Sequence, residues 1–280
     1  MVRIITDSSA DLEPREYEQL NITCIPLTVF FEDAEYQENI NLSKELFYKM
    51  LAEGSYPKTA QPSPQLLLDL FEEAKAAGDE AIYFSISSAI SGTYQTACAT
   101  REMAEYDRCY VFDSKNATGG LRVLLEEAVK LRDAGKDAAA IMEGVAAIQD
   151  RIELYACMDT LEYLYRGGRI SQTVYKLGTM AQVKPIIRVT EAGAIEVPAK
   201  AIGMRKGMDF LCKRVEAVKP SKNHSFYAMY TGDRSNGLAL AEKFRAMGYD
   251  IPDEKVINVG AAIGSHVGPN ACGMVYIAEE

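Results

Sequence analysis

Hydrophobic positions along the chain fall in short runs separated by stretches with helical spacing. Residues 2–6, dominated by Val and Ile, predict a buried strand that ends in Asp7-Ser8-Ser9-Ala10-Asp11, and a helix is expected over residues 13–20. Residues 25–31 are rich in branched and aromatic side chains and predict a second strand. Ser43 stands where it can cap a helix running to about residue 52. Ser63 followed by Pro64 marks another helix start, because proline is tolerated where the N–H lacks an intrahelical acceptor. That helix carries Leu66, Leu67, Leu70 and Ala74 on one face and stops at Gly78. Residues 81–84 and 110–112 predict further strands, with a helix between them ending near residue 104. Leu121, Leu124, Leu125, Ala128 and Leu131 fall at helical spacing and end at Gly135, and Ile141, Val145 and Ile148 mark one more helix. Strand and helix alternate throughout, which predicts a parallel sheet covered by helices on both faces.

The pattern changes after about residue 150. Residues 154–158 read as a strand, and residues 185–189 and 195–198 as a hairpin closed across Glu191-Ala192-Gly193. Further strands are expected at 226–230, 255–259 and 274–278, and helices at 204–218 and 238–247. A hairpin among crossovers implies a mixed sheet. The expected fold class is therefore α/β with two α/β domains, residues 1–150 on a parallel sheet and residues 151–280 on a mixed one.

Composition narrows the function. The chain has 280 residues, 48% of them hydrophobic, and a formal net charge of −10. An acidic surface argues against nucleic acid as a partner, since phosphate binding needs a basic footprint. Cys24, Cys98, Cys109, Cys157, Cys212 and Cys272 are scattered, without a C-x-x-C pair, which predicts reduced and mostly buried thiols and no metal site. The N-terminal run lacks the apolar length of a signal peptide, and no span fits a membrane, so cytoplasm is the expected compartment.

The richest candidate for chemistry is Ser85-Ile86-Ser87-Ser88-Ala89-Ile90-Ser91-Gly92-Thr93-Tyr94-Gln95. A hydroxyl-rich turn with glycine, between a strand and a helix start, suits a small anion, because the helix start offers free N–H groups and a positive dipole end. The turn has no lysine or arginine, which favours a carboxylate over a triphosphate; the alternative is that its serines only cap a helix. Phosphate-loop, dinucleotide, zinc-protease and nucleophile-elbow fingerprints are absent. Residues 259–270 are glycine-rich, which implies tight turning or close approach to a ligand or to the other domain. His224 reads as a solvated loop residue and His266 sits between glycines. Asp7, Asp113 and Asp159 each end a strand, where they either line a ligand crevice or cap the next helix. Arg166 and Arg169 flank two glycines and either hold an anionic group or satisfy helix C-terminal carbonyls. A Ser91–His266–Asp7 triad is conceivable on paper, which leaves a hydrolase or acyltransferase as the alternative reading.

Taken in order, Thr6-Asp7-Ser8-Ser9-Ala10-Asp11-Leu12, Thr59-Ala60-Gln61-Pro62-Ser63-Pro64, the turn from Ser87 to Gln95, Asp113-Ser114, Leu161-Glu162-Tyr163-Leu164 with Gly167-Gly168-Arg169-Ile170-Ser171, Lys184-Pro185-Ile186 and Gly264-Ser265-His266-Val267-Gly268-Pro269 resemble the DegV family over nearly the whole chain. The resemblance implies a non-catalytic protein that holds one long-chain fatty acid, such as palmitate, between its domains. It also implies the acyl-carrying role in a fatty-acid kinase: a separate kinase subunit phosphorylates the bound carboxylate, and the acyl phosphate feeds phospholipid synthesis. No cofactor or metal is implied, and transient membrane contact is. On the same ground Thr59 and Ser91 are expected to hold the carboxylate, with His266 near it, Gly92 and Ser63 as additional head-group positions, and Arg166 and Arg169 as partner contacts. Ala60 departs from the family pattern, where serine is frequent. The energetics suit such a ligand. About fifteen methylenes at roughly 0.8 kcal/mol each give on the order of 12 kcal/mol before association costs. A head-group hydrogen bond contributes only about 1–3 kcal/mol. The tail supplies affinity and the head group sets position.

Overall fold

The computed structural model describes residues 1–32, 34–176 and 182–280. The chain begins with β1 (Val2–Asp7), in which Ile4 and Ile5 point to opposite faces and enter two different clusters of buried side chains. A 3-10 turn (Ser8–Ala10) and α1 (Pro14–Gln19) lead to β2 (Ile22–Ile25). The expected single strand over residues 25–31 is split. Pro26 has no N–H to give to a ladder, and β3 (Thr28–Phe31) leaves for a different sheet. Then follow β4 (Ala34–Gln37), α2 (Lys44–Ala52) and β5 (Lys58–Ala60). Ser43 caps α2, its Oγ accepting from Leu46 N–H at 3.2 Å. Strands β4, β3 and β5 form a small antiparallel sheet that the sequence pattern did not predict.

Helix α3 (Pro64–Ala77) starts at Ser63 and Pro64 as expected. Its buried face differs from the expected one: Leu67, Phe71 and Ala74 are inside, whereas Leu66 is exposed and Leu70 half-buried. Phe71 lies at i+4 from Leu67 and joins Ile5, Tyr83 and Ala97 in the core, which fixes the helix rotation. After β6 (Glu80–Ser85), α4 (Thr93–Ala104), β7 (Cys109–Asp113), α5 (Gly119–Asp133) and α6 (Ala138–Gln149), the first sheet is complete. Its order is β2-β1-β6-β7 and every pairing is parallel. Helices α3 and α4 cover one face and α5 and α6 the other.

The second half contributes β8 (Ile152–Cys157), α7 (Glu162–Arg166), α8 (Gln172–Lys176), β9 (Val183–Val189) and β10 (Ile195–Ile202). Next come α9 (Met204–Ala217), β11 (Tyr227–Tyr230), α10 (Ser235–Ala246), β12 (Val256–Asn258), α11 (Ala261–Val267) and β13 (Cys272–Ile277). Six strands in the order β10-β9-β8-β13-β11-β12 form a mixed sheet, parallel only at β11–β12. The molecule is thus two α/β domains. Helices α9 and α10 cover one face of the mixed sheet. Helix α5 packs on the other, so Leu121, Leu124 and Leu125 share one core with Ile4 and Ile82 of the parallel sheet and Leu154 and Val275 of the mixed sheet. Gly119 permits this approach, because a Cβ there would collide with Val275.

Two further contacts join the halves. The β9–β10 turn docks on the first sheet, where Ser87 Oγ donates to Gly193 O at 2.9 Å. The glycine-rich residues 259–270 form α11 rather than a plain turn, and Gly264 lets it sit 2.7 Å from Phe47 Cε1 and Tyr48 Oη of α2, measured from where its Cβ would be. His224 is half-buried rather than solvated, with Nδ1 3.0 Å from Ser221 Oγ and Nε2 3.7 Å from Glu127.

Candidate functional site

A cavity of about 590 Å³ lies between the mixed sheet, β5, α11 and the turn before α4. That is within the range of roughly 300–1,000 Å³ common for small-molecule sites. The sheet supplies an apolar floor. Leu154 and Ala156 of β8, Ile187 and Val189 of β9, Met229 of β11 and the bare backbone of Gly273 in β13 all face it. These residues alternate with those packed under α9, such as Tyr155 and Cys157, so strand periodicity sorts the two faces.

The polar lining comes from three places. Thr59 is on β5, paired with Val29, and its Oγ1 lies 2.9 Å from Nε2 of His266 on α11. Ser91 and Gly92 precede α4, with Ser91 Oγ 2.8 Å from Thr93 Oγ1 and accepting from Thr93 N–H at 3.3 Å. Gln61 ties the two turns together: it packs where a Cβ of Gly92 would be, and Thr96 Oγ1 donates to its Oε1. Ser63 lies on the cavity wall and makes no side-chain capping bond to α3, so its hydroxyl is not consumed by the helix.

His266 owes its seat to a glycine. A Cβ at Gly167 would collide with His266 Nδ1, and Nδ1 is buried with no hydrogen-bond partner. Burial, and then the Arg169 charge, push the His266 imidazole down to about 4, so the ring is neutral at pH 7. An orphaned buried N–H is rarer than an orphaned lone pair. This favours the tautomer in which Nε2–H donates to Thr59 Oγ1, leaving the Thr59 hydroxyl proton free to donate into the cavity.

Arg169, expected as a partner contact, lies in the cavity wall. Its Nε donates to Ile90 O at 3.0 Å and its Nη1 to Gly167 O, so it does satisfy carbonyls, and further guanidinium N–H groups are left. Among the described residues it has no carboxylate partner and is the one charged side chain lining the cavity. The cation missing from the 85–95 turn is thus supplied by another segment. Arg166 lies off the cavity, exposed, 3.8 Å over the Tyr56 ring and paired with Glu162 at 2.7 Å.

The Ser91–His266–Asp7 triad does not assemble. Asp7 is fully buried and accepts from Ser9 N–H at 3.0 Å, Ile86 N–H at 3.1 Å and Tyr83 Oη at 3.1 Å. His266 bonds Thr59, and Ser91 bonds Thr93. Asp113 accepts from Ser88 and Lys115 N–H at 3.1 and 3.0 Å, and Asp159 pairs with Lys184, so the strand-end aspartates brace loops. Among the described residues no group of His, Cys, Asp or Glu is placed to hold a metal, and no helix is long and apolar enough to cross a membrane. Cys109, Cys157 and Cys272 are buried, the other three cysteines half-buried, and all six are free thiols.

The model of the DegV family matches residues 1–279. The chain belongs to the DegV family. Among DegV relatives, a DegV domain-containing protein of Caldanaerobacter subterraneus is 31% identical over 287 residues, covering 98% of each chain. One of Clostridium perfringens is 31% identical over 284 residues, covering 99% of this chain and 97% of its own. A fatty-acid-binding DegV family protein from Thermus thermophilus has the same fold, with a TM-score of 0.88, 28% identity and 99% coverage of both chains. Bacillus subtilis DegV, a fatty acid binding protein, matches with a TM-score of 0.84, 26% identity and 99% coverage of both. The DegV motif segments that lie far apart in sequence, Thr59 to Pro64, Ser91-Gly92, Arg169 and His266, meet around one cavity, with Gly167 packed behind His266. Gln61 and Arg169 were not expected there; the Gly167-Gly168 pair was the available signal, since adjacent glycines mark a place where something comes close.

Proposed function

We propose that this chain binds one long-chain fatty acid, of the palmitate class, in the cavity between its two domains and presents the carboxylate to a partner kinase for acyl-phosphate formation. The observation that carries the reading is the cavity itself. Its floor is apolar, and Thr59, Ser91, His266 and Arg169 are gathered on its wall. The fatty-acid-binding relatives from Thermus thermophilus and Bacillus subtilis support it.

In this reading the Thr59 and Ser91 hydroxyls donate to the carboxylate, and neutral His266 orients Thr59 by donating to its oxygen. Arg169 supplies the counter-charge, which is worth more in a half-buried setting than in water. Gly92 and Ser63 complete the head-group wall. We place the domain boundary near residue 150, with 1–150 contributing the hydroxyl turns and 151–280 the apolar floor. The chain itself performs no chemistry, needs no cofactor, works in the cytoplasm and meets membranes only transiently. Arg166, with Tyr56 and Glu162, offers the kinase a polar and aromatic rim.

Denaturing mass spectrometry of the purified chain should release a long-chain fatty acid, and the delipidated chain should take one up again. A delipidated chain that binds no such acid ends the proposal. Turnover of activated esters that is lost in Ser91→Ala would replace it with the hydrolase reading.

A further inference from the structure

Beside α11 lies a group of buried polar side chains that the cavity does not use. Asp11 ends the turn after β1 with a φ of 57°, and Glu38 follows β4; each is 2% exposed. Asp11 Oδ1 accepts from Gly260 N–H at 2.9 Å, and Glu38 Oε1 accepts from Ala262 N–H at 3.0 Å. Both N–H groups belong to the start of α11, where a helix has no acceptor of its own to offer. Glu38 Oε2 in turn accepts from Ser8 Oγ at 2.6 Å, and Ser8 Oγ accepts from Leu27 N–H at 2.9 Å. Asp11 Oδ2 is buried without a hydrogen-bond partner.

The charged and titratable groups facing this pair come from four elements. Lys44 and Tyr48 of α2, Arg122 of α5, Tyr17 of α1 and Cys24 of β2 surround it, and Lys44 is itself held by Glu13 at 2.7 Å. Burial pushes the Glu38 carboxyl up to about 7, with the Asp11 charge adding to the rise. Burial pushes Asp11 up to about 6, against the downward pull of Lys44 and Arg122.

Helix α11 has seven residues, so two bonds at its start are a large share of what orients it. Ala262 and His266 are one turn apart, on the same face, and both line the cavity. We infer that Asp11 and Glu38 are positioning residues for the head-group histidine: they hold the first turn of α11 and so keep His266 Nε2 against Thr59. The inference rests on the reading of His266 as part of the carboxylate site. It adds two first-domain carboxylates that touch neither ligand nor imidazole and act through the helix backbone. Arg169, and not either carboxylate, is the charged group that acts on His266 directly.

The test uses the full-length delipidated chain with ¹⁵N-labelled histidine, so it needs no ligand. The ¹⁵N titration of His266 in the native chain sets the reference midpoint, near 4. The double variant Asp11→Asn with Glu38→Gln, which keeps both acceptor oxygens and carries no charge, should keep that midpoint, because the bonds to Gly260 and Ala262 N–H, and not the charges, hold the helix. Glu38→Ala removes one acceptor and should move the His266 midpoint upward toward 6.5 while weakening palmitate binding about tenfold; Glu38→Gln should restore both to within about twofold. A cooperatively melting double variant whose His266 midpoint moves as far as that of Glu38→Ala overturns the inference. So does Glu38→Ala with an unmoved His266 midpoint and a cooperative melt, which would make the pair merely structural. Should Glu38→Ala fail to melt cooperatively, Asp11→Ala, which removes the bond to Gly260 N–H, takes its place in the same readout. Palmitate that binds none of the folded chains, native included, overturns the acyl reading and leaves the histidine readout intact.

Discussion

Thr59 Oγ1 and His266 Nε2 stand 2.9 Å apart although 207 positions separate them in the chain. The bond joins a three-residue strand of the first domain to a seven-residue helix of the second. Neither element is long enough to hold its place by itself, so the pair reports directly on how the halves are assembled.

Removing a hydroxyl should separate holding from presenting. Thr59→Val and Ser91→Ala each delete a bond worth about 1–3 kcal/mol, while the tail contact stays. Fatty-acid affinity is expected to fall roughly 5- to 150-fold, and, on the proposed reading, phosphoryl transfer by a partner kinase considerably more. Equal losses in equilibrium binding and in acyl-phosphate yield would contradict this division.

Gly167→Ala tests the seat of the histidine. The backbone there is an ordinary right-handed turn with a φ of −73°, so alanine is tolerated conformationally. Its Cβ collides with the imidazole. The ring should move outward, its midpoint rise from about 4 toward 6.5, and fatty-acid binding weaken. An NMR titration that leaves the midpoint at about 4 would show that the glycine is not what seats the ring.

The two arginines should behave differently. Arg166→Glu is expected to leave fatty-acid binding intact, because Arg166 lies outside the cavity, and, on the proposed reading of a kinase contact there, to impair phosphoryl transfer. Arg169→Gln should weaken binding itself, since it removes the cation from the cavity wall. Isothermal titration of both variants discriminates; matching affinities would erase the distinction.

Ala156→Leu should shorten the acyl chain the protein selects. Ala156 lines the cavity from near the C-terminal end of β8, so a larger side chain there takes up cavity volume. Mass spectrometry of the co-purified lipid should show a distribution displaced to fewer carbons. An unchanged distribution would put the tail elsewhere.

Stability should depend on pH through opposing groups. Asp11 and Glu38 have raised carboxyl pKa values, so the folded chain binds protons more readily than the unfolded one, and their contribution falls as pH rises from about 4 through 7. His266 is depressed, so the unfolded chain binds its proton more readily, and its contribution is lost as pH falls from 6.5 through about 4. Glu38→Gln isolates the first effect. Its Tm should exceed that of the native chain by a few degrees at pH 8 and equal it near pH 5, as thermal melts would reveal.

Much of the fold was legible because it rests on local chemistry. Ser63-Pro64 started α3, Gly78 ended it, and the 185–198 hairpin closed where Glu191-Ala192-Gly193 allowed it. The small sheet was not legible. Lys58-Thr59-Ala60 has no alternation to mark a strand, and its pairing with β3 is decided by residues about thirty positions away. The same holds for the site. The 85–95 turn stood out by composition, but Arg169 looked like a surface residue, since nothing nearby in sequence shows that its guanidinium reaches Ile90. Glu38 gave no sign either, because its bond to Ala262 spans 224 positions.

The single core shared by both sheets constrains how the proposed lipid ligand would be exchanged. Leu121, Leu124 and Leu125 are fully buried between β-layers, and exposing each costs about 1.5–3 kcal/mol. Swinging the halves apart like jaws would strip all three at once. On the proposed reading, cargo would enter and leave by local movement at the cavity rim while the spine of the molecule stays shut.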